Sequence, residues 1–420
     1  MSTPKGKSMK KIFILILLII LTGCAKKEEQ YHNLLISNSF IENRVLHIGE
    51  KLTIDLSKYE HYEFHSVKFN YNSSVIRINN KEEILALKLG ETIIEATIYY
   101  EKNHMATIQL YKIIVFDYED PNMIPINDEM SIKRLFAENP SGFYYINKDI
   151  DMENLNSFDP ITYFSGILIN PKKHVIKNLT INGVDSSAFI QRTSNAYIDG
   201  LIFENIKVTG KLGKEDTTSE FTAGLVGEAH NSFISNVHID GEFSQGIHVG
   251  GIAGYLYKTP LVNSSFSGNV SCGKYVGGLV GYYHPDSFGQ FENEGVIKNS
   301  YAIADIKGGY HDSDSTNFLG GLVGYSNGGL LISSYYCGKV TPDEGDIHSP
   351  IISGIPHYIY LYCDVYYVSD YELAEAYYKR YYIEATVYKL SLEELKSGEV
   401  LKGLEEFSFK PGEYPVIKNN

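Results

Sequence analysis

The chain has no tryptophan, 13 prolines and 4 cysteines in 420 residues. Four cysteines are too few and too scattered for a small disulfide scaffold, and no CxxC pair is present to hold zinc. None of the 13 histidines begins an HExxH, which excludes the helical zinc-protease site. There is no GxSxG elbow, and Cys272, Cys337 and Cys363 stand in no recognisable nucleophile setting. Basic residues are outnumbered, 37 against 51 acids, for a formal net charge of −14. Such a surface repels a phosphate backbone, so nucleic acid is excluded as a main partner. The 34 tyrosines and 37 glycines are the abundant types. Tyrosine joins a broad apolar face to a polar tip, which suits strands that end in contact surfaces.

The only long apolar run is Ile12 to Ile20, behind Lys5, Lys7, Lys10 and Lys11, and it is short for a membrane span. It ends in Leu21-Thr22-Gly23-Cys24, which resembles the lipobox of bacterial lipoproteins. The resemblance implies a signal peptide over 1–23, a diacylglyceryl thioether on Cys24, and a mature chain anchored on the extracellular face of the cell membrane, or in the outer membrane where the host has one. Two acyl chains suffice for a stable anchor. The alternatives are an uncleaved helical anchor and a secretory signal in which Cys24 is incidental. Cleavage removes four lysines and no acid, taking the formal net charge to −18. With Cys24 lipidated, Cys272, Cys337 and Cys363 remain, either as free thiols or with a bridge from Cys337 to Cys363.

Residues 24–30 form a charged tether. From 31 to 116 the pattern is short and alternating, with Ile94, Ala96 and Ile98 on one face and Ala106, Ile108 and Leu110 on a returning strand after Lys102-Asn103-His104. The stretch Leu85 to Ala96 resembles bacterial Ig-like domains, which implies a small β-sandwich acting as a spacer. Residues 117–142 carry Pro121 and Pro125 and then a helical face of Ile132, Leu135 and Phe136, and are expected to be a linker and helical N-cap.

The strongest internal signal is Gly-aliphatic-aliphatic-Gly, met at Gly224 to Gly227, Gly251 to Gly254, Gly278 to Gly281 and Gly321 to Gly324, with first glycines 27, 27 and 43 residues apart. Twelve residues after three of them come Ile234-Ser235-Asn236, Leu261-Val262-Asn263 and Leu331-Ile332-Ser333; in the third copy Ile297-Lys298-Asn299 comes 21 after. The excess in the third repeat falls in two loops, so the coil itself is constant. Ser187-Ala188-Phe189-Ile190 and Val175 to Ile181 mark weaker, earlier coils. A fixed period of this size means stacked supersecondary units. The paired glycines are expected at corners, where they permit positive φ and the close approach of adjacent coils, and the asparagines in left-handed turns or ladders.

The motif resembles the GLUG-repeat proteins of bacterial cell surfaces, from about Phe143 to the end. The resemblance implies an all-β chain whose main domain is a right-handed parallel β-helix over 143–390, preceded by the sandwich, in proteins that serve as adhesins or accompany the catalytic part of some immunoglobulin A proteases. Tyr335 to Tyr388 departs from the pattern and is expected to be a tyrosine-rich insertion, with Tyr358 to Tyr388 held for contact or as a lid on the last coil. Residues 391–420 open with Ser391-Leu392-Glu393-Glu394, a capping-box signature, and are expected to cap the solenoid end.

Chemistry is not visible in the residues. Asp199, Asp240 and Asp305 fall at −1, +4 and +6 from their coil's asparagine position, so they do not stack as a carboxylate pair. His61 and His65 have helical spacing in a turn-like region, and Asp312-Ser313-Asp314-Ser315 lacks the glycine and closing glutamate of a calcium loop. The expectation is therefore a surface binding or scaffold protein without catalytic residues, metal or cofactor, whose partners are the membrane, through lipid on Cys24, and a glycan or host extracellular protein. The alternative is a carbohydrate-active β-helix enzyme or an accessory part of a surface protease system.

Overall fold

The computed structural model describes residues 42–56, 66–99, 105–184, 186–211, 220–285, 295–309, 316–354, 360–370 and 382–418, with the side chains of 106, 134, 135, 184, 360–363 and 382–385 left out. Cys24, the signal and tether, His61, His65, Lys102 to His104 and Asp312 to Ser315 lie outside the described residues. Two compact units divide between Tyr118 and Glu119.

The first unit contains seven described strands: β1 (Glu42–His47), β2 (Lys51–Thr53), β3 (Ser66–Asn70), β4 (Ile76–Ile78), β5 (Glu83–Ala86), β6 (Gly90–Tyr99) and β7 (Met105–Phe116). One sheet runs β1-β7-β6-β3 and the other β2-β5-β4. Ile94, Ala96 and Ile98 of β6 are fully buried with Ile108, Leu110, Ile84 and Ile76 in one core drawn from both sheets. The alternation of β6 thus produces a sandwich: one face of each strand is taken from water and the other is left polar.

The second unit is a parallel β-helix. Strands Ile161–Phe164, Ile190–Ser194, Val226–His230, Ala253–Tyr257, Val280–His284, Val323–Ser326 and Ile352–Gly354 stack in that order as one parallel sheet. The remaining long strands stack likewise, His238–Gly250 on Ser265–Gly277 among them. Val280 pairs with Val323 across 43 residues as directly as Ala253 pairs with Val280 across 27, so the additional residues leave the rung spacing unchanged. The core is a column of aliphatics: Leu225, Ile252, Leu279 and Leu322 are 0% exposed, as are Val226, Ala253, Val280 and Val323. Each fully buried side chain of this size contributes roughly 1.5–3 kcal/mol, which only stacking makes available to so narrow a coil.

Of residues 117–142, those from Glu119 onward belong to this unit. Met123–Ile126 pairs in parallel with Phe143–Ile146, which pairs with Ile167–Ile169. Between them α1 (Glu129–Glu138) starts at Asp128, whose carboxylate accepts the Ser131 N–H at 2.7 Å, and it lays Ile132 and Phe136 on the first rungs, Phe136 stacking on Tyr144 at 4.7 Å.

Two expectations change at the other end. Gly329–Cys337, Tyr360–Val368 and Tyr382–Lys389 are successive rungs in parallel register, so the described part of the tyrosine-rich stretch continues the solenoid and is not an insertion. Its tyrosines alternate with the pleat. Tyr336 and Tyr367 point into the core, while Tyr335, Tyr366 and Tyr388 point outward. The carboxy segment has the foreseen capping box on α2 (Leu392–Leu395). It does not join the column core; Leu395, Leu404 and Phe407 pack on the outward Tyr301, Tyr335 and Tyr366, and the Tyr335 hydroxyl donates to the Pro415 carbonyl at 2.6 Å. The segment covers a flank, where Tyr301 stacks on Tyr335 at 4.8 Å and Tyr366 on Tyr388 at 4.9 Å.

Candidate functional site

The paired glycines build a re-entrant corner. First-glycine amides bond to the next rung in series, Gly224 to Gly251, Gly251 to Gly278 and Gly278 to Gly321, each at 3.2 Å. None of the eight glycines has positive φ. Their necessity is steric: a Cβ on Gly278 would lie 2.2 Å from the Gly321 carbonyl oxygen, and one on Gly324 would lie 2.5 Å from the Val276 amide. The second glycine lets the two strands that flank the corner approach so closely that their outward side chains meet. Tyr275 and Tyr282 touch edge to face at 5.3 Å, and Phe318 and Tyr325 at 5.1 Å. Outward side chains touch across a corner only when it bends inward, so the corners stack into a trough along the solenoid.

Three columns of rings line it. Phe221, His248, Tyr275 and Phe318 stack at 5.0, 5.1 and 5.6 Å. Tyr255, Tyr282 and Tyr325 follow at 5.3 and 4.9 Å. His230, Tyr257 and His284 form the third column at 5.3 and 5.2 Å. Below Tyr255 the second column ends in Glu228, held by Arg192 at 2.7 Å and His230 at 2.6 Å. The Tyr255 hydroxyl lies 3.1 Å from His284 Nδ1, and Asn327 Nδ2 donates to the Tyr282 hydroxyl at 2.8 Å. Burial, then the neighbouring phenols of Tyr325, Tyr255 and Tyr275, raise the Tyr282 pKa well above that of a free phenol, and burial raises Tyr275. The row therefore presents neutral hydroxyls. His248 is 8% exposed, and its Nδ1 has no hydrogen-bond partner. Burial, with Lys274 adding and the Glu220 carbonyl opposing, holds its pKa at about 3, so the ring is neutral.

These residues were not singled out in the sequence, although their signal is there. Aromatic rings or histidine stand three positions before every first glycine, at Phe221, His248, Tyr275 and Phe318, and tyrosine stands four after three of them, at Tyr255, Tyr282 and Tyr325.

The acids stay apart. Asp199 is buried and accepts Ser235 Oγ at 2.7 Å and Asn236 Nδ2 at 2.6 Å; Asp240 accepts Ser267 Oγ at 2.9 Å; Asp305 is in register with Asn269. Asp240 and Glu242 do line one groove of about 370 Å³ with Lys207 and Asn269. They are exposed neighbours on one strand face and do not oppose each other across a bond, as a glycosidase pair must. Among the described residues no group of three or more His, Cys, Asp or Glu side chains is placed to hold a metal, and no helix is long and apolar enough to cross a membrane.

The cysteines do not pair. Cys337 is in register with Val368, five residues beyond Cys363 on the adjacent strand, and at about 3.3 Å per residue their Cα atoms are too far apart for a disulfide. Cys272 and Cys337 are free thiols; the side chain of Cys363 lies outside the described residues. Cys337 lines a cleft of about 560 Å³ with Val368, Asp370, Lys389 and Tyr414, and burial raises its pKa, which disfavours the reactive thiolate.

No protein-family model matches the chain, and no curated protein matches it. Among solved structures it is similar to one described as IgA1 Protease, with a TM-score of 0.47 and 16% identity over 75% of this chain and 25% of that one. The chain thus spans about a quarter of that protein's length.

Proposed function

We propose that the chain is a lipid-anchored protein of the extracellular surface, held through Cys24, that binds a partner along the aromatic trough and performs no catalysis. The observation that carries this reading is the trough itself: ten aromatic or imidazole rings in three columns, most of them half-buried, on rungs whose core needs none of them. Interfaces favour such side chains because tyrosine brings large contact area and a hydrogen-bonding tip at low entropic cost. The acids support the non-catalytic part, since Asp199, Asp240 and Asp305 are each tied to separate neighbours in separate registers.

The test is a glycan and extracellular-matrix array probed with the Cys24→Ala chain, followed by product analysis on every hit. Saturable binding without turnover is expected, and replacing Tyr255, Tyr282 and Tyr325 together by phenylalanine is expected to weaken it. Release of oligosaccharide or peptide fragments sinks the non-catalytic reading. Array binding untouched by the triple variant sinks the assignment to the trough.

A further inference from the structure

Resting on that assignment, we infer that the trough takes a neutral linear glycan lying parallel to the solenoid axis, one sugar unit to a rung.

The first argument is periodicity. The trough repeats its hydroxyl and imidazole tips once per rung, and ladder neighbours stand about 4.8 Å apart. An extended pyranose chain advances by close to that spacing per unit, so one sugar falls opposite each rung. An extended peptide advances about 3.3 Å per residue and returns a side chain to the same face every second residue, which falls out of step with the rungs. Peptides also dock by adding to a sheet edge, whereas the rung backbones beneath the trough are already bonded to one another, Leu225 to Ile252 and Leu279 to Leu322.

The second argument is the chemistry of the exposed atoms. Ring faces are spent within the columns, Tyr282 on Tyr325 at 4.9 Å and His248 on Tyr275 at 5.1 Å. What remains for a ligand is ring edges and polar tips, suited to a polymer of hydroxyls.

The third is charge. Glu228 is ion-paired with Arg192, while Lys258 and Lys274 stand over the rings of Tyr257 and Tyr275, so the charges at the trough are few and of both signs, and the chain as a whole carries −14; neither a polyanion nor a polycation is matched there.

The fourth is His248. Phe221 and Phe318 fill the same column with apolar rings, yet the rung between keeps an imidazole with an unpartnered nitrogen against the rings of Tyr255 and Tyr282. Packing alone calls for phenylalanine there. The nitrogen is sealed in the free protein, so a hydroxyl reaches it only by displacing one of those two rings.

Calorimetric titration of the full Cys24→Ala chain with neutral linear hexasaccharides in β-1,4, β-1,3 and α-1,4 linkage, and with their disaccharides, tests the inference. At least one hexasaccharide is expected to bind at least tenfold more tightly than its disaccharide. The Tyr255→Phe, Tyr282→Phe, Tyr325→Phe variant, which keeps the columns and removes three hydroxyls, is expected to lose at least tenfold in Kd with an unchanged melting temperature. No binding by any hexasaccharide, equal affinity of both lengths, or tighter binding of a polyuronate overturns it. If the array instead returns only protein partners and the triple variant abolishes them, the glycan is wrong while the trough stands as a binding surface.

Discussion

Asparagine recurs at one step of this solenoid because the backbone there is left-handed in coil after coil. Asn236, Asn263 and Asn299 have φ of 54°, 51° and 50°, and each amide donates to a carbonyl of the next rung. Asn299 Nδ2 also donates to Asn263 Oδ1 at 3.0 Å. Ser333 holds the same conformation, φ 48°, without the carboxamide. Ser333→Asn is therefore expected to stabilise by roughly 0.5–1 kcal/mol, a part of what the left-handed region costs an ordinary residue, and to raise the melting temperature by about 1–3 °C. No gain in thermal unfolding would mean the ladder contributes nothing beyond backbone shape. At His248 the balance runs the other way. Its folded pKa of about 3 lies below the unfolded value of about 6.5, so the unfolded chain binds the extra proton between the two. Stability is level above about pH 6.5 and falls as the pH drops below it. His238, half-buried beside Ser265 and held at about 4 by desolvation, adds to the same slope. Between pH 7 and pH 5 the wild type is expected to lose about 2 kcal/mol more than His248→Phe, measured by urea unfolding at the two pH values. Identical losses would show that the imidazole titrates normally and is not sealed in the column.

At the scale of the element, the repeat was legible because its glycines and aliphatics answer to hard constraints. Leu225, Ile252, Leu279 and Leu322 must be apolar, and the corner leaves no room for a Cβ. Of the two expected reasons, positive φ and close approach of adjacent coils, the structure keeps only the second: none of the eight glycines has positive φ, and a Cβ would meet an adjacent rung. Gly278→Ala should then cost at least about 2–3 kcal/mol although alanine has no β-branch, because its methyl meets backbone that cannot move without displacing the next rung. Asn269→Ala, exposed on a neighbouring strand, should stay within about 0.5 kcal/mol. Chemical denaturation of both separates the two reasons, since a purely conformational constraint at a non-positive φ tolerates alanine. The trough was harder to see. Its residues hold the same steps, but the positions accept Phe, His and Tyr in one column and Glu or Tyr in the next, so residue identity does not repeat. The last rungs were hidden for the opposite cause. In the following coil Gly321 donates to the Ser349 carbonyl at 3.0 Å and Leu322 to the Ile351 carbonyl at 2.9 Å, and Pro350 and Ile351 stand in place of a glycine and leucine that would announce the rung. Backbone pairing needs only carbonyls and amides in register, whatever the side chains.

For the whole molecule, the proposed reading divides the work between an end that reaches a membrane and a flank that meets a partner. Lys5, Lys7, Lys10 and Lys11 are the charged side chains ahead of Cys24, and on that reading cleavage leaves a chain of formal charge −18. A surface of that sign gains nothing from anionic lipid headgroups. On the same reading retention rests on acyl chains carried by Cys24, each buried methylene contributing about 0.8 kcal/mol. Cys24→Ala is accordingly expected to abolish incorporation of a palmitate analogue and to move the protein from the membrane fraction to the medium or to an unprocessed precursor. Binding by the trough should be unchanged in the released form, because the rungs that build it are bonded to one another. Labelling that persists in the variant would remove the anchor from Cys24, whereas loss of array binding together with the label would show that the trough works only while the chain is held at a surface.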